Sequence, residues 1–131
     1  MNSEMETNDE IVIYQQEDGK AEISVILHKE SLWLNLNQMA ELFGRDKSVI
    51  SRHLRKVFEN DELNREATVA FFATAQGEGG RSVERQVEDF NLDAILFVGY
   101  RVNSKRGTQF RIWANKTLKE YLIRGYVLNE N

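Results

Sequence analysis

The sequence predicts an α+β domain of the winged helix-turn-helix type: N-terminal β-strands, a helix-turn-helix, a β-hairpin wing and two C-terminal helices. Three observations carry this. β-rich runs fill residues 11–34 and 68–90. Apolar residues recur at helical spacing in 35–58 and 91–124. Finally, Ala40, Gly44 and Ile50 follow one another at intervals of four and six, the spacing of a small residue, a turn and a plug between two crossed helices.

Each element has its own signal. Ile11–Tyr14 and Ala21–His28 are β-rich, and the Asp18-Gly19 pair between them favours a hairpin turn with positive φ. Ser31–Leu34 makes a third short strand. Asn35 and Gln38 form the pattern of a capping box. Leu36, Met39, Ala40 and Phe43 then share one helical face, and Gly44 ends the helix in a left-handed position. Asp46 caps a second helix whose apolar face is Ile50, Leu54, Val57 and Phe58. A polar stretch, Glu59–Glu66, leads to strand-like runs at Thr68–Thr74 and Ser82–Phe90 around a glycine-rich tip. Asn91 caps a helix to about Val102 that is apolar nearly all round, which suits the middle of a core. Gly99 within it costs about 1 kcal/mol relative to alanine and therefore implies a close helix crossing. The last helix is expected from about Arg106 to Arg124, with Gly125 as its stop and Trp113 in the core.

Length and composition fit one soluble domain. The chain has 131 residues, of which 41% are hydrophobic and 29% charged. Residues 1–10 are expected to be a disordered acidic tail and 11–129 a single domain. The acidic start lacks the basic and apolar parts of a signal peptide, and no run is long enough to span a bilayer. Cysteine is absent, which fits a cytoplasmic protein.

The net charge of −4 is unevenly spread. Residues 1–44 sum to −7, 45–56 to +4, 57–100 to −6 and 101–131 to +5. A duplex feels the local patch within about 10 Å rather than the total. With the buried stripe of the second helix removed, Ser48, Arg52 and Arg55 remain on its outer side, with Lys47 and Ser51 on the N-terminal flank. Arginine bonds guanine edges bidentately, and serine or lysine takes phosphate. The candidate DNA-contacting set is Arg45, Lys47, Ser48, Ser51, Arg52, Arg55 and Lys56, with Arg81 and Arg85 near the wing tip. Arg45 departs from the apolar residue that often follows the turn glycine. Arg101, Lys105 and Arg106 cluster in the loop before the last helix.

Residue patterns for catalysis or metal binding are weak. His28 and His53 lie far apart without companion ligands, and Gly77, Gly79 and Gly80 are not followed by the Gly-Lys-Ser/Thr of a phosphate loop. Glu88, Asp89 and Asp93 are the nearest thing to a magnesium site, although Asp93 suits the first turn of a helix. No enzyme activity, cofactor, metal or small-molecule ligand is expected.

FNLDAILFVGYRVNSKRGTQFRIWANKTLKEYLIRGYVLN, with WLNLNQMAELFGRDKSVISRHLRKVF and IVIYQQEDGKAEISV upstream, resembles the RhuM family of bacterial proteins, virulence-associated by name. The likeness covers about residues 11–129. GYRVNSKRGTQFRIW is also distantly similar to the N-terminal DNA-binding domains of phage antirepressors. The resemblance implies a DNA-binding module, here the N-terminal part of a longer family protein, some members of which continue into a death-on-curing (Fic-like) domain. It brings no catalytic residue. The resulting expectation is sequence-specific binding of double-stranded DNA, in transcription regulation or in a mobile-element or toxin–antitoxin-type protein. A homodimer is left open. The alternative is an interaction or dimerisation module that never touches DNA.

Overall fold

The structure, a computed structural model, describes residues 9–16, 22–102 and 104–129, with side chains except at 74–78, 82, 83 and 125–129. The order is β1 (Glu10–Gln15), β2 (Glu22–His28), β3 (Ser31–Asn35), α1 (Leu36–Phe43), α2 (Lys47–Glu59), α3 (Arg65–Thr68), β4 (Val69–Glu78), β5 (Arg81–Phe90), α4 (Leu92–Arg101) and α5 (Lys105–Asn129). The expected Asp18-Gly19 turn and most of the expected tail lie outside the described residues. Asp9 and Glu10 do not behave as tail: Asp9 pairs with His28 at 2.7 Å, and Glu10 opens β1 and takes a bond from Arg124.

All five strands are antiparallel, in the order β1-β2-β3-β5-β4. β5 joins β3 only at Leu34↔Phe90 and Asn35↔Asp89, so most of the β4–β5 hairpin continues as a two-stranded ribbon. Asn35 ends β3 and Asn91 follows the last residue of β5 at this overlap, and their side chains accept from Gln38 N and Ala94 N to cap α1 and α4. The helices therefore leave the sheet close together.

Alternation along the strands gives the sheet two different faces. Ile23, Val25, Leu27, Leu32, Leu34 and Phe90 pack under α1, α2, α4 and α5 with Met39, Phe43, Ile50, Leu54, Ile95, Val98, Phe110 and Ala114. On the opposite face Trp33, Ala70 and Phe72 form a smaller cluster, with the His28 ring 5.7 Å from Trp33 and 5.2 Å from Phe72. Trp33 Nε1 donates to the His28 carbonyl at 2.9 Å. Asp89 is buried in β5, in register with Asn35 and Ala70, and burial pushes its carboxyl up to about 7.

The close crossing expected at Gly99 is present. A β-carbon there would lie 3.0 Å from Phe43 Cε1, and one on Gly107 of α5 would lie 3.3 Å from Gly99 Cα. Three expectations need correction. The polar stretch after α2 contains a one-turn helix, α3, capped by the Asn64 side chain on Ala67 N at 3.0 Å. α5 runs through Gly125 to Asn129, because glycine costs a helix about 1 kcal/mol without forbidding it. α4 is not enclosed all round: Tyr100 is 89% exposed, and Phe97 carries the Arg101 guanidinium 5.0 Å above its ring. Trp113 is half-buried at the core margin, against Tyr14 at 4.9 Å and Phe110 at 5.5 Å.

Candidate nucleic-acid interface

α1 and α2 are set by local chemistry at both ends. In the capping box, Gln38 N donates to Asn35 Oδ1 and Asn35 N to Gln38 Oε1, each at 2.9 Å. Gln38 Nε2 then ties the start of α1 to the Ser24 carbonyl at 2.7 Å. Gly44 has φ 63 and ψ 40, a left-handed conformation that strains any residue with a β-carbon. Two residues on, Asp46 accepts from Ser48 N at 2.9 Å and from Ser48 Oγ at 2.5 Å. Those bonds, with Lys47 beside it, hold its carboxyl below the usual aspartate range. Ile50 is fully buried between the helices, with Leu54 and Val57 continuing the same stripe.

The opposite side of α2 faces outward. Lys47, Ser48, Ser51, Arg52, Arg55 and Lys56 are all exposed. Among the described residues, no hydrogen bond or ion pair engages the side chains of Lys47, Arg52, Arg55 or Lys56. Elsewhere Arg65 pairs with Glu88, Arg101 with Glu62 and Arg124 with Glu10. On the flank toward α4, burial first, then Arg52, Arg101 and Lys56, keep His53 below the ordinary histidine pKa.

Arg45 has an internal task. Its Nη2 donates to Val102 O, at the C-terminal cap of α4, over 3.3 Å, and its Nη1 to Gly44 O over 3.4 Å. That bond explains why a cation stands where an apolar residue is common. The partner is 57 residues away, so no local signal announced it.

Between α2 and β5 runs a groove of about 650 Å³. Lys47, Ser51 and Arg55 line one wall, Gln86 and Glu88 the other, and Leu54, Phe58 and Phe90 its floor. Arg65 enters from α3, paired with Glu88 and 5.4 Å over the Phe58 ring. Sequence reasoning missed Arg65, which sat in a stretch with no helical period. Arg81 and Arg85 are exposed, but alternation along β5 sets them on the ribbon face opposite Gln86 and Glu88. The structure therefore does not bring them together with Arg55 in this groove. Glu88 and Asp89 alternate to opposite faces in the same way, so these two carboxylates do not converge.

No helix among the described residues is long and apolar enough to cross a membrane. No curated protein and no solved structure matches the chain. The model of the virulence protein RhuM family matches residues 67–131, from the end of α3 through α5. The matched segment holds the β4–β5 ribbon, the Gly99–Gly107 crossing and the GYRVNSKRGTQFRIW run, while α1 and α2 lie before it. Through that match, the chain belongs to the virulence protein RhuM family.

Proposed function

We propose that the chain is a sequence-specific DNA-binding module of the helix-turn-helix class, with α2 as the reading helix. The observation that carries this is the unengaged charge on α2: Lys47, Arg52, Arg55 and Lys56 are exposed and bonded to no described residue, on a helix locked across α1 by Gly44 and Ile50. A folded protein gains nothing from four clustered, unpaired cations. A phosphate backbone does, through counterion release, and arginine forks add base readout in the major groove. The strand order supports a winged arrangement, since α1 and α2 connect β3 to β4 while β5 returns between those strands. In this reading the module serves transcription regulation or a mobile-element or toxin–antitoxin-type system.

The test is charge reversal. The double variant Arg52→Glu, Arg55→Glu should keep the parent's Tm and lose binding to labelled duplex, including an oligonucleotide selected from a random pool. A folded double variant that binds like the parent would sink the assignment.

One observation favours the interaction-module reading. Ile112 and Ile123 are 61% and 63% exposed, on the side of α5 away from Phe110 and Ala114. Self-association of the parent, lost in Ile112→Lys, combined with no duplex binding at low salt, would select it.

A further inference from the structure

We propose that the junction between α4 and α5 is a second contact to the DNA backbone, with Lys105 and Arg111 holding phosphates beside the helix-turn-helix turn. This rests on the reading of α2 above and extends it into the segment that the family model matches. The turn and the junction are built as one unit. Arg106 lies directly on the turn: a β-carbon at Gly44 would be 2.8 Å from its Nη1. The same nitrogen donates to Glu41 O at 3.5 Å, over the last turn of α1. In return Arg45 reaches from the turn to Val102 O. Both guanidiniums are thereby fixed at the junction, and Lys105 and Arg111 stand exposed beside them.

Two depressions of about 400 Å³ each flank the start of α5 and meet at Ser104. Gly44, Arg45, Lys105 and Arg106 line the first; Gly99, Tyr100, Thr108 and Arg111 line the second. Among the described residues, no aspartate or glutamate lines either one, whereas the groove beside α2 includes Glu59 and Glu88. Cations with hydroxyls and no carboxylate are the chemistry that accepts phosphate oxygens. Packing also gives no reason for Tyr100, 89% exposed at the rim of the second depression, where its hydroxyl can donate to the same backbone. The first depression adjoins the N-terminal end of α2 through Arg45, so a strand tracking past Lys47 meets Lys105 next.

The experiment is duplex titration across a salt series with the full chain and the variant Lys105→Glu, Arg111→Glu, both positions being exposed. Affinity should fall at least tenfold at low salt. The slope of log affinity against log salt should flatten by about two units, one per phosphate contact, with base preference unchanged. If the glutamates lower the Tm, Lys105→Gln, Arg111→Gln should give the same flattening with a smaller loss. Parent-like affinity and slope in both variants, while Arg52→Glu, Arg55→Glu abolishes binding, would remove this inference and leave the α2 reading standing. Altered base preference would also overturn it, by making the junction a reader. A parent that binds no duplex at low salt would take down both.

Discussion

Residues 45–56 and 101–131 carry nearly the same excess of positive charge, +4 and +5, yet hold it differently. On α2, Lys47, Arg52, Arg55 and Lys56 are exposed and bond to no described residue. In the C-terminal segment several are built in: Arg101 on Glu62 and the Phe97 ring, Arg106 on the Glu41 carbonyl, Arg124 on Glu10 and 5.9 Å from the Tyr121 ring. A charge balance read from sequence therefore does not separate a binding surface from a scaffold. Partners separate them, and the partners lie 39, 65 and 114 residues away. Such pairing also explains part of the acidic N-terminus, since Asp9 bonds His28 and Glu10 pairs with Arg124 in the folded state.

If the C-terminal segment is scaffold, its buried side should dominate stability. Phe110, fully buried in α5, should cost about 3–5 kcal/mol as Phe110→Ala, measured by denaturant unfolding. Trp113→Ala should cost roughly half as much, because less of that ring leaves water on folding. An equal cost for the two would show that Trp113 is covered in solution, as a second copy packed on α5 would do.

A second test concerns the sheet. Burial raises Asp89 to about 7 in the folded protein against 3.8 in the unfolded chain. Between those values the unfolded state has lost the proton and the folded state keeps it. Asp89 therefore costs the fold nothing from ionisation below about pH 4, about 1.4 kcal/mol more per pH unit above it, and a constant amount beyond about pH 7. Asp89→Asn, which stays neutral, should match the parent near pH 4 and exceed it progressively to pH 7, by a few kcal/mol. A difference that does not change with pH would mean that Asp89 ionises normally.

Much of the fold was legible because its signals are local. The Asn35, Asp46 and Asn91 caps, the Gly44 turn and the buried stripes of α1 and α2 follow from residues within two turns of one another. The outward position of Arg52 and Arg55 follows from the same helical wheel. What was hidden has physical reasons. The β2–β3 turn uses Lys29 and Glu30 at φ 48 and 60, without the glycine or asparagine that usually marks such a turn. The insertion of β5 beside β3 is a long-range pairing with no local trace. The apolar pattern of α4 concealed the exposure of Tyr100. The task of Arg45 depended on a carbonyl far along the chain.

Arg101→Ala removes an ion pair to Glu62 of 3.1 Å and a ring contact, both at the surface, and should cost about 1 kcal/mol or less. Raising the salt should shrink that cost, since exposed charges are screened. Arg52→Ala and Arg55→Ala remove no hydrogen bond or ion pair among the described residues and should each stay within about 0.5 kcal/mol of the parent at neutral pH. They should then differ from one another in acid. Arg52 is one of the charges that hold His53 below its ordinary pKa, and Arg55 is not. A histidine depressed in the folded state is neutral there while the unfolded chain takes up a proton, so stability is lost as pH falls below about 6.5. Without Arg52 the depression is smaller and less is lost. Thermal melts from pH 7 to pH 5 should therefore show Arg52→Ala falling less steeply than Arg55→Ala. Identical pH profiles would mean that Arg52 does not act on His53, while a large loss at neutral pH in either variant would mean that α2 uses its arginines to fold.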